Sequence, residues 1–169
     1  MFFLLPFDLI DRRGLLPISA GLALLPFTVG VGLLSPLFGG LVGKFGAGTM
    51  LVMGAGGASI AYVWMALAQD ASLIFGVIAP LTLLGIAFAV LIAPLTSSVI
   101  SSVPKSDEGL ASGINNAASR VAQLAGTALA AGLGTLSAGY QFGLLTAAVV
   151  SAAGAVTTAL EVPGRLADT

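Results

Sequence analysis

Neither cysteine nor histidine occurs among the 169 residues. Their absence excludes disulfides, thiolate metal sites, Cys/His and Ser/His catalysis, and imidazole proton relays. Charge is almost as scarce. Lysine and arginine number six and aspartate and glutamate seven, 8% of the chain, where a soluble domain carries about a quarter. So few charges cannot cover a globular surface. With 57% hydrophobic residues and a mean hydropathy of +1.09, the composition predicts an all-α integral membrane protein whose first partner is the lipid bilayer. The net charge of −1 gives no case for nucleic acid or anionic lipid headgroups. Met1 to Ile10 is not a secretory signal, because it has no basic start and Pro6 and Asp8 interrupt its apolar run.

What is abundant is uncharged sequence, and the rare charges divide it. A span needs about 20 apolar residues. The uncharged gaps run from Gly14 to Gly43, Phe45 to Gln69, Ala71 to Pro104 and Val121 to Leu160. The last would be about 60 Å long as one helix, so it must break, and the glycines between Gly132 and Gln141 supply the break. The reading is one transmembrane domain, 1–169, with five full helices near 18–42, 49–68, 73–103, 109–132 and 142–160. Residues 1–10 read as the end of a truncated span, with a short interfacial segment as the alternative, and 161–169 as a polar tail. Alternate loops put Lys44, Lys105 and Arg165 on one side, which the positive-inside rule makes cytoplasmic.

Glycine, at 23 residues, suits close helix packing in lipid. Gly39 with Gly43, and Ala55 to Ala58, are the small-residue faces that predict tight pairs. Pro36 and Pro94 fall inside spans, where each removes an N–H and kinks its helix unless neighbours compensate.

One predicted helix differs from the rest. Around Arg120, residues Gly113, Asn116, Gln123 and Thr127 recur at steps of three and four, a polar stripe on one side. Arg120 has two readings. It lines the bundle interior or a substrate path, because lipid exposure costs roughly 2.5–3.5 kcal/mol. Alternatively it snorkels to an interface. Asn115 and Asn116 read first as interhelical hydrogen-bonders, then as substrate ligands with Arg120 and Gln123. Asp8 reads as an interfacial end residue, with proton carriage as the alternative. Asp107 and Glu108 suit a helix start. Tyr62 and Trp64 read as interfacial anchors, with contact to an aromatic substrate as the alternative. No acid pair lies in a span and neither lysine is mid-span, so an intramembrane enzyme is not expected. No catalytic residue, metal or cofactor is predicted.

Three stretches together resemble a known family. They are Ala20–Phe27 with Ser35–Gly46, Gly85–Thr96 leading to Ser102–Pro104, and Gly109–Ala117 with Arg120. In this order they resemble the C-terminal half of the major facilitator superfamily, more narrowly the fourteen-span drug:proton antiporters of the EmrB/QacA type. The resemblance implies a partial six-helix bundle, one truncated helix plus five spans, in the bacterial inner or plasma membrane. It implies secondary active efflux of small organic compounds by alternating access, coupled to protons. Gly39, Leu41, Lys44 and Gly46 match the family's cytoplasmic gating loop, with Gly43 at the acidic position. Asn115, Asn116 and Arg120 match a family subset in which position 123 is often Gly. A small-molecule substrate and a separately encoded N-terminal half are the partners this implies. The alternative is a truncated remnant or structural membrane protein without transport activity of its own.

Overall fold

A computed structural model describes residues 4–101, 104–134 and 139–161. The expected polar tail beyond 161 and Arg165 lie outside these residues, as does most of the expected break after Gly134. The described chain is all helix: α1 (Leu4–Phe7), α2 (Pro17–Leu22), α3 (Leu25–Phe45), α4 (Ala47–Leu67), α5 (Ala79–Ser101), α6 (Glu108–Gly134) and α7 (Gly139–Glu161). Two π-helical turns, Asp8–Arg12 after α1 and Ile74–Ile78 before α5, and a 3₁₀ turn at Lys105–Asp107 complete the order.

Local chemistry sets the boundaries. Pro17 stands in the first turn of α2 and Pro26 in that of α3, where a missing N–H has no intrahelical partner to lose. A turn at Ala23–Leu24 therefore divides the apolar run into α2 and α3. Pro36 and Pro94 lie inside α3 and α5, and both helices continue through them. Glu108 opens α6, where an acid complements the positive end of the helix dipole. Gly46 alone joins α3 to α4, at φ 77° and ψ 146°, a backbone region essentially closed to residues with a Cβ.

Helix α4 is central. It packs against both α5 and α7, and α3 packs against α5. The core gathers Leu5 and Leu9 with Met65, Val77, Leu81, Leu84 and Leu144, all essentially buried. Two polar bonds tie α4 to α7: Ser59 Oγ donates to Ala148 O at 2.9 Å and Gln141 Nε2 to Ala66 O at 3.3 Å. Phe27 and Phe88 meet edge to face at 5.6 Å between α3 and α5.

Close crossings fall at Gly85 and Gly54 and not at Gly43. A Cβ added to Gly43 would meet nothing within 4 Å, whereas at Gly85 it would lie 2.8 Å from Phe27 O. At Gly54 it would lie 2.8 Å from Ala87 O. The small face of α4 near Ala55–Ala58 does pack: Ala58 is buried, and Gly57 approaches Ala87. Tyr62 is buried among the same residues, so it is a core residue and not an interfacial anchor.

Among the described residues, four helical stretches, Pro17–Phe45, Ala47–Leu67, Ile74–Ile92 and Gly139–Leu160, are long and apolar enough to cross a bilayer. Large apolar side chains such as Leu33, Leu37, Val149 and Val150 are exposed on them. Such surface is untenable in water and suits a hydrocarbon solvent.

Candidate functional site

The polar stripe lies on α6, which at 27 residues is the longest described helix. It runs unbroken from Glu108 because the segment is rich in Ala and Leu and lacks proline. Asn116, Arg120, Gln123 and Thr127 are all exposed. Ser119 Oγ and Thr127 Oγ1 each bond back to the carbonyl four residues earlier, those of Asn115 and Gln123, at 2.8 Å. No described acid pairs with Arg120. The helix touches α5 and α7, yet those contacts leave the stripe uncovered. Asn115 does not share it. Five residues at 100° each put Asn115 about 140° around the helix from Arg120, and it is half-buried. The structure thus brings together Asn116, Arg120 and Gln123 and sets Asn115 apart.

The residues expected to form a gating loop lie at the C-terminal end of α3. Lys44 is exposed, Gly39 is half-buried, and Gly46 is the whole connection. A linker of one residue joins α3 to α4.

A second polar cluster was not singled out as a site from the sequence. Asp8, with a side chain only 6% exposed, meets Arg12 Nε at 3.5 Å and Arg13 Nε at 4.0 Å. Both guanidiniums reach across to the α4–α5 turn. Arg12 donates to Gln69 Oε1 at 2.6 Å, to Gln69 O at 2.8 Å and to Asp70 Oδ1 at 3.3 Å. Arg13 donates to Ala71 O at 2.9 Å and to Gln69 O. Gly76 leaves room for this, since a Cβ there would lie 2.8 Å from an Arg13 terminal nitrogen. The sequence signal is a single acid in an apolar run followed four and five residues later by arginines.

Trp64 lines an open crevice of about 420 Å³ on α4 with Ser59, Ile60 and Val63. Its lining is almost wholly apolar, so it can accept hydrocarbon and has no convergent polar groups to orient a polar ligand.

A helical, multi-pass membrane protein with one amphipathic helix among apolar ones is the class these features define. The family model described as Major Facilitator Superfamily matches residues 1–167, and the chain belongs to that superfamily. Over 117 residues it is 32% identical to the multidrug resistance protein Stp of Mycobacterium tuberculosis, covering 69% of this chain and 22% of that protein. Over 107 residues it is 31% identical to the riboflavin transporter RibZ of Clostridioides difficile, covering 63% of this chain and 24% of that one. No solved structure matches the chain. The chain therefore spans less than a quarter of the length of these curated relatives. The superfamily is one of membrane transporters and not of enzymes.

Proposed function

We propose that the chain is part of a secondary transporter of the EmrB/QacA type that exports small organic compounds from a bacterial cell. In this reading it supplies the end of one helix and the five following spans of a C-terminal bundle. Transport proceeds by alternating access, in which two bundles rock about a midplane site, and inward proton flow drives export. The carrying observation is the superfamily match over residues 1–167, together with an α6 whose stripe of Asn116, Arg120 and Gln123 is exposed. An exposed guanidinium along a helix in lipid is costly, so this side turns toward a second bundle or an aqueous path. Asn115 serves the same helix through interhelical bonds. The loop of Gly39, Lys44 and Gly46 transmits the rocking motion, and Pro36 and Pro94 bend their helices toward the cavity.

A second reading is a remnant or structural membrane protein without transport activity of its own. Efflux of a lipophilic cationic dye separates the two. Cells making this chain with an N-terminal half from a relative should retain less dye than cells making either alone, and a protonophore should abolish the difference. Association of the halves without any efflux would establish the remnant reading, and failure to associate would remove the transporter reading.

A further inference from the structure

The Asp8 cluster suits a mechanical role that transport chemistry does not require. It sits where three connections converge: the α1–α2 segment, the α4–α5 turn and the start of α7. Its geometry comes from the π-helical turn. A π-turn closes i to i+5, and here Arg13 N donates to Asp8 O at 3.2 Å, which stacks position 13 over position 8. Arg12, four residues on, falls beside it. One carboxylate thus faces two adjacent guanidiniums. The second π-turn, Ile74–Ile78, lies on the other side of the contact, and its Gly76 admits Arg13.

The pairing is built from both kinds of bond. Two of the ion pairs, Asp8 with Arg12 and with Arg13, are internal to the first segment, a third reaches Asp70, and the long-range hydrogen bonds go mostly to backbone carbonyls of Gln69 and Ala71. Carbonyl acceptors fix position without adding charge, so the arginines need Asp8 as their buried counter-ion. Asp70 contributes little to this balance, because its side chain is fully exposed. Among the described residues, Arg13 Nε, Gln69 Nε2 and the Tyr140 hydroxyl are buried without a hydrogen-bond partner. The cluster therefore holds more polar groups than its acceptors satisfy, an arrangement that depends on its one buried acid.

We propose that Asp8, Arg12 and Arg13 form a latch that fixes the end of α1 against the α4–α5 turn, with Asp8 as the positioning residue that holds both guanidiniums in their grip. Closed, the latch makes α1, α4, α5 and α7 one body at this end. Helix α6 contributes no residue to it.

The absence of cysteine makes the test direct. Spin labels on cysteines placed at Leu16 and Ile74, both exposed, report the distance across the latch in lipid nanodiscs. The otherwise unaltered chain should give one narrow distribution. Asp8→Asn should broaden it about twofold and raise amide exchange at Gly76 about tenfold, while Asp8→Glu should restore both. Arg120→Gln should leave both unchanged. If Asp8→Asn does not fold, Arg13→Lys decides, since it keeps the charge and loses the fork: broadening supports the latch. A distribution unaltered by Asp8→Asn, or by Arg13→Lys in that case, overturns it, as does a Glu variant that behaves like Asn.

Discussion

Helices α4 and α6 have similar ingredients and opposite settings. Both are rich in glycine and alanine, and both are long enough to cross a bilayer. In α4 most of the small residues of the central turns are consumed within the chain: Gly54 and Gly57 meet α5, Ala58 and Ala61 are buried, and Ser59 bonds to α7, while Gly56 stays open. In α6 a Cβ at Gly109, Gly113 or Gly126 would meet nothing within 4 Å. Small residues permit close approach, but the approach happens only where the chain supplies a neighbour. The surface of α6 is thus available to lipid or to another bundle, and its polar stripe favours the latter.

The sharpest way to break this contrast is Gly54→Leu. Its side chain must displace the Ala87 carbonyl, so overpacking should cost about 3 kcal/mol and lower the unfolding midpoint in detergent substantially. Next is Asp8→Asn. Removing one partner of a buried pair costs about 3–5 kcal/mol, but Arg12 is partly exposed and both arginines keep other acceptors, so about 2 kcal/mol is expected. Gly46→Ala forces a Cβ into a glycine-only backbone region and should cost about 1–2 kcal/mol, read in the same melt. At the small end, Gly113→Leu and Arg120→Gln should each shift stability by less than about 0.5 kcal/mol. A large loss from Gly113→Leu in the isolated chain would show that α6 is packed after all, and the contrast with α4 would disappear.

The fold class was legible because uncharged runs between rare charges mark spans directly. So was the peculiarity of α6, since a polar stripe at helical spacing stands out in an apolar chain. Other features needed coordinates. Asn115 and Asn116 are neighbours in sequence but stand 100° apart on a helix, so only Asn116 joins Arg120. The crossings at Gly54 and Gly85 depend on which helices meet, while the conspicuous Gly39–Gly43 spacing leaves Gly43 open. The latch was hidden by its π-turn: i to i+5 stacking lies outside the 3.6-residue pattern, and Arg12 and Arg13 look like ordinary interfacial charges. Tyr62 was misplaced because proximity to a helix end does not say which face a residue takes.

The central claim is that α6 turns its stripe away from lipid. The direct measurement places single cysteines at Asn116, Arg120, Gln123, Val121 and Leu129 in the membrane-embedded chain assembled with an N-terminal half. Each is then probed with a small water-soluble maleimide. Reaction at 116, 120 and 123 with silence at 121 and 129 is the predicted pattern. Silence along the stripe with reaction at 121 and 129 would contradict it.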